Sequence, residues 1–301
     1  MREKNISLLF EKHRLRQNGL NACLTLLELA EFVQQHRGIT LGIQGGNQFF
    51  ETRLLFKQNE VNALLESLAN RHPGLIDATL YNELASEWRT LERHWPRDDA
   101  FGNFLIHSHY LSAVLKAISD IANLSGHDDI DELHQRVATL ALRKVPAMIE
   151  CIAQSRGLAV HMVSTQDYDT RFIQRLQYLG KTMLDDHIQI LQELQNIDTA
   201  LTAQHPKNPG SASTTSRLQQ TIIEMKAQLL SEACYDQLRK YSQSLEHLYT
   251  KNTGISPSSD YIFSRATHII SAHYQTITKV IRGLHYSTDP DLSSWINIGS
   301  C

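Results

Sequence analysis

Residues 31–43 read EFVQQHRGITLGI and residues 150–162 read ECIAQSRGLAVHM, and both contain E-x-x-x-Q-x-R-G. Setting Arg37 over Arg156, 119 positions apart, places Glu31 on Glu150, Gln35 on Gln154 and Gly38 on Gly157. Apolar positions coincide as well: Val33 with Ile152, Ile39 with Leu158, Leu41 with Val160 and Ile43 with Met162. A match held at a fixed offset marks a duplicated structural unit. Within each copy the apolar residues return every three or four positions, the period of an amphipathic helix. A looser echo links NFLIHSHYLSAVLKAI (103–118) with YIFSRATHIISAHYQTI (261–277).

The same period runs outward from both copies, and no stretch alternates strictly enough to read as a strand. Eight long helices are expected. The first spans about Leu20 to Gly42. The second is capped by Asn47 and ends near Arg71, and the third is capped by Asp77 and ends near Trp95-Pro96. The fourth covers Ala100 to about Leu124. The fifth starts at Asp128 or Asp129 and ends near Ser164, with Pro146 expected to kink it. Tyr168 to Leu201 forms the sixth, Ser216 to about Lys251 the seventh, and Asp260 (with Ser259 as an alternative cap) to about His285 the eighth. The fold class is therefore all-α: two antiparallel up-and-down four-helix bundles, related by the duplication and packed together. Residues 1–19 read as an N-terminal extension, 20–125 as the first bundle and 128–285 as the second. Residues 204–215 form a loop inside the second bundle and 286–301 a polar C-terminal tail.

Composition narrows the function. With 42% hydrophobic and 20% charged residues, the chain has globular rather than disordered composition. The 29 basic and 32 acidic residues leave a net charge of -3 and no basic stripe, which argues against direct nucleic-acid binding. No run of 18 apolar residues exists, so no membrane span is expected, and the N-terminus lacks the pattern of a signal peptide. Cys23, Cys151, Cys234 and Cys301 show no close pairing and read as reduced thiols, pointing to a cytoplasmic protein.

The repeated arginines carry the chemistry. Ala30, Val33 and Leu41 flank Arg37 on one helix face, and Ile149, Ile152, Ala153 and Val160 flank Arg156, so both lie on stripes that should face a core. Glu31 and Glu150 sit six residues before them, about 120° round the helix, too far for a pairing within one helix. A buried guanidinium keeps its charge, and leaving it unpaired costs several kcal/mol. Two such groups imply a site for a small anion, whose planar oxygens suit the guanidinium fork. The alternative is an acid from another helix, and Glu83, Glu87, Asp120 and Asp186 are available.

On these residues the chain resembles the nitrate- and nitrite-sensing (NIT) domain family. FVQQHRGITLGIQGGNQFFETRLLFKQNEVNALLESL is similar to the family's Q-x-x-R-G helix, glycine-rich turn and second helix. VPAMIECIAQSRGLAVHMV is similar to its P-x-x-x-E-x-x-x-Q-x-R-G-x-(A/G) signature, and SDYIFSRATHIISAHYQTI to its last helix, with Phe263 and Thr267 at matching positions. The likeness covers roughly residues 20 to 285. It implies nitrate or nitrite held between two bundles by Arg37 and Arg156. Many members carry Glu before the first arginine; His36 stands here, and would add a second positive charge or a neutral donor. Family members usually precede an output module. With about 16 residues after the eighth helix, signalling to a separate effector protein or a second copy is expected.

No other constellation competes. His107 and His109 point to different helix faces and cannot chelate together, and no Glu-x-x-His occurs, so neither a metal nor another cofactor is expected. Gly42 to Gly46 is a turn rather than a phosphate loop, and no catalytic triad or paired-acid site is present, so the chain reads as no enzyme. The rival reading is a helical scaffold or adaptor of the same fold without a ligand.

Overall fold

The computed structural model of the chain describes residues 2–127, 130–203, 212–229, 232–250 and 257–287. Every regular element among them is helical. The helices are α1 (Arg2–Gln44), α2 (Glu51–Arg71), α3 (Ala78–His94), α4 (Ala100–Leu124), α5 (Glu132–Thr139), α6 (Val145–Thr165), α7 (Thr170–Ala203), α8 (Ala212–Leu229), α9 (Glu232–Tyr249) and α10 (Ser259–Ser287). A 3₁₀ turn, Gln48–Phe50, leads into α2, and a π-helical turn, Leu140–Lys144, joins α5 to α6.

Short polar side chains fix several starts by accepting the free N–H groups of the first turn. Asp77 accepts from Leu80 N at 2.8 Å, Asp99 from Gly102 N at 2.6 Å and Asp131 from His134 N at 2.8 Å. Asn47 caps the 3₁₀ turn rather than α2 itself, and Ser258 caps α10. The expected starts at Asp128 or Asp129 lie outside the described residues.

Three expectations are corrected. First, α1 begins at Arg2, not Leu20, because the intervening residues are good helix formers and Gly19 does not break the helix. A Cβ at Gly19 would sit 2.1 Å from Ser125 Oγ, so its bare backbone lets the end of α4 touch α1. Second, Pro146 does not interrupt a helix. The π turn lies just ahead of it, and α6 restarts with the proline in its first turn, where the missing N–H costs nothing. Third, the expected seventh helix already begins at Ala212, within the expected 204–215 loop, whose residues 204–211 lie outside the described set; it is described in two stretches, α8 and α9, with residues 230–231 between them also outside that set. In the expected tail, Tyr286 and Ser287 complete α10, and 288–301 lie outside the description.

The packing centres on α1 and α6. Helices α2 and α4 pack on α1, with α3 resting on those two; α7, α9 and α10 pack on α6, with α8 resting on α10 and α7. Contacts between α1 and α6 climb both helices together: Gln34 meets Glu150, Leu41 O meets His161, and Gly45 lies beside Ser164. The two repeat helices therefore run parallel. Helix α10 runs antiparallel to α1, with Gln17 bonded to His285 O and Gln34 to Tyr274, and α4 runs antiparallel on another side of α1. Among the described residues one continuous apolar core, from Leu20 to Leu284, links α1 through α10.

Candidate anion site

Arg37 and Arg156 are 0% and 2% exposed, on the core-facing stripes of α1 and α6. The parallel packing brings them to one level of the seam, with Arg156 lying against Gly38. Around each guanidinium the repeat has built the same cradle. Arg37 Nη1 donates to Ser108 Oγ at 3.1 Å and the guanidinium lies 5.7 Å from the centre of the Phe104 ring. Arg156 Nη1 donates to Thr267 Oγ1 at 3.0 Å and lies 5.2 Å from the Phe263 ring. Ser108 with Phe104 on α4, and Thr267 with Phe263 on α10, hold the same spacing. The loose echo between those helices is thus a repeated hydroxyl and aromatic face offered to each arginine.

The counterions are not repeated. Arg37 forms a bidentate pair with Glu150 of α6, at 2.6 Å and 3.1 Å. None of Glu83, Glu87, Asp120 or Asp186 takes that role; the partner is the repeat's own glutamate, reached across the seam because helix side chains lean toward the N-terminus. Glu150 also accepts from Gln34 Nε2 at 2.9 Å and Gln154 Nε2 at 2.8 Å. Gln34 in turn accepts from the Tyr274 hydroxyl at 3.1 Å, and Gln154 from Arg175 at 2.7 Å.

Arg156 has no such partner. Among the described residues no carboxylate lies within ion-pair distance of it, and its second bond goes to the Gln34 backbone carbonyl at 3.1 Å. Glu31, the repeat equivalent of Glu150, accepts from Gln35 at 3.2 Å instead. Burial pushes the Glu31 carboxyl up, against the pull of nearby Lys57. Burial, and then the Arg37 charge, pull the Arg156 guanidinium down from 12.5 to about 10, so it stays a cation at neutral pH. Both Nε–H groups are buried without an acceptor. Neither arginine is paired within its own helix; Arg37 takes the alternative, an acid from another helix, though none of the four named, and Arg156 has no carboxylate partner among the described residues.

His36 does not enter the site. It points into the first half of the fold, with Trp88 and Trp95 edge-on at 4.9 and 6.5 Å. Burial pushes its imidazole down to about 3, which removes the expected second positive charge. His107 Nδ1 faces the Asn103 carbonyl at 2.8 Å, so its Nε2 accepts from His36 Nδ1 at 2.9 Å. His109, by contrast, is exposed. Of the two repeat glycines, Gly157 is the tight one. A Cβ there would lie 2.9 Å from the Leu41 side chain, whereas one at Gly38 would meet Arg156 at an ordinary 3.7 Å.

Among the described residues no cluster of three or more His, Cys, Asp or Glu could hold a metal ion. No helix among them is long and apolar enough to cross a membrane. Compared with protein-family models, curated proteins and solved structures, the chain matches none. The likeness to nitrate and nitrite sensors rests on its sequence motifs.

Proposed function

We propose that the chain is a sensor of a small planar oxyanion, nitrate or nitrite, bound in the seam beside Arg156 with Arg37 completing the site. One observation carries this reading: Arg156 is a buried cation with spare donors and no carboxylate partner among the described residues. An unpaired buried charge is costly, and a bound anion removes that cost. The planar ligand takes two parallel bonds from the guanidinium, and Phe263 and Thr267 wall the same group. In this reading α1–α4 and α5–α10 are the two duplicated bundles. Arg156 ties α6 to α1 through Gln34 and to α10 through Thr267. A ligand that takes over those donors favours one placement of the bundles over another, and an effector protein or a second copy reads the difference. A cytoplasmic setting belongs to the same proposal, supported by the free thiols of Cys23 and Cys151. No catalytic step is assigned.

A second reading, a helical scaffold without a ligand, is favoured by the Arg37–Glu150 pair, which already satisfies one arginine from within. Thermal unfolding against nitrate, nitrite, chloride and sulfate at matched ionic strength separates the two. At a hundredfold excess over Kd a ligand of the native state adds about 2.7 kcal/mol, a shift of a few degrees. The sensor reading expects a nitrate or nitrite shift that disappears in Arg156→Ala. Identical melting in all four salts leaves the scaffold.

A further inference from the structure

We infer that Glu150 selects the ligand by charge, so that the seam admits monoanions and rejects dianions; this deepens, and rests on, the oxyanion reading above. Three charged groups lie buried at the level of the two arginines, while Glu31 and Arg175, both half-buried and opposite in charge, stand at its edge. Arg37 and Arg156 supply two positive charges and Glu150 one negative charge, all buried. Glu150 accepts four hydrogen bonds, two on each oxygen, and donates none, the bonding of a carboxylate rather than an acid. Its amide donors cannot turn round. Gln34 offers its oxygen to the Tyr274 hydroxyl and Gln154 offers its oxygen to Arg175, so flipping either amide would break two bonds. Glu150 is therefore a fixed charge, not a side chain that swings out for a ligand.

With Glu150 in place the three buried groups hold a net charge of one, positive, and the edge pair of Glu31 and Arg175 adds none. A monoanion beside Arg156 closes that balance. A dianion brings a surplus negative charge into a buried place already occupied by a carboxylate, where like charges are strongly disfavoured. Discrimination by such a repulsive element works against the wrong ligand without improving the right one. The asymmetry of the repeat is what makes this possible: were Glu31 paired with Arg156 as Glu150 is with Arg37, no net charge would remain.

Perchlorate and sulfate test it, because both are tetrahedral and differ in charge. Isothermal titration calorimetry of the full chain, at matched ionic strength and with nitrate as reference, is expected to give wild type at least tenfold tighter binding of perchlorate than of sulfate. In Glu150→Gln that ratio falls tenfold or more, or inverts. Thr267→Asp is the second variant. It places a carboxylate at an atom already bonded to Arg156, and nitrate and perchlorate binding should both weaken at least tenfold. Equal affinities for perchlorate and sulfate in wild type overturn the inference and leave the oxyanion reading standing. So does an unchanged ratio in Glu150→Gln, or full nitrate binding in Thr267→Asp, which decides the matter if wild type binds nitrate but neither tetrahedral ion or if Glu150→Gln does not fold. A wild-type chain that binds none of the three anions refutes the oxyanion reading, and the inference with it.

Discussion

The two repeat arginines should respond oppositely to the same substitution. In Arg37→Met, Glu150 keeps two amide donors but loses the only cation within ion-pair distance of it among the described residues, while staying 6% exposed. Breaking a buried pair from one side costs about 3–5 kcal/mol, and the remaining amides place this case near the lower end. In Arg156→Met, no described carboxylate is stranded. What disappears is a guanidinium whose depression from 12.5 to about 10 corresponds to about 3 kcal/mol of unfavourable charging in the folded state. Against that gain stand two hydrogen bonds, to Thr267 and the Gln34 carbonyl, at about 1 kcal/mol each. Arg156→Met should therefore lie between wild-type stability and about 2 kcal/mol above it. Urea unfolding in a buffer with only bulky anions measures both variants against wild type. Similar losses in the two would mean that Arg156 has a counterion in solution, and the claim that it is an uncompensated cation would fall.

Three further outcomes follow from the structure. Gly38→Ala should stabilise α1 by about 1 kcal/mol, since the new methyl meets nothing closer than 3.7 Å, yet weaken any nitrate response because it lies beside Nε and Nη2 of Arg156; paired calorimetry with and without nitrate checks both halves. Burial holds His36 and His134 down at about 3 and His187 at about 4, so the unfolded chain binds more protons between about pH 6.5 and those values. Stability should then fall as pH drops from 6.5 to 5, by up to about 1.4 kcal/mol per pH unit for each histidine, and a flat urea-unfolding profile over that range would contradict their burial. Cys23 is 0% exposed with its thiol pushed up to about 12, so mass spectrometry should find it alkylated only after denaturant is added.

The helical class, the repeated motif and the burial of both arginines were legible in the sequence because each is a local pattern of period or spacing. The start capped by Asp77 was legible for the same reason: the cap and the N–H that donates to it lie three residues apart. What the sequence hid is set by contacts between distant segments. Gly19 reads as a boundary until Ser125 is packed against it, and Pro146 reads as a kink until the π turn ahead of it is seen. Glu150 stood in the repeat motif, but geometry within one helix excluded it as a partner. Only the parallel packing of α1 on α6 carries it to Arg37. Ser108 and Thr267 were visible as an echo, but their shared task needed the arginines beside them.

Helix α1 is 43 residues long, about 65 Å at 1.5 Å per residue, and Arg37 sits close to one end of it. The part reaching back from Arg37 to Arg2 is a rod of about 50 Å. Tilting that rod by about 5° about the level of the arginines carries its far end through about 4 Å, comparable to the one-turn steps by which packed helices ratchet past one another. An adjustment at the seam no larger than the breaking of one hydrogen bond is thus geared up along the rod, and the far end of α1 is where a small event between two guanidiniums would be most easily felt.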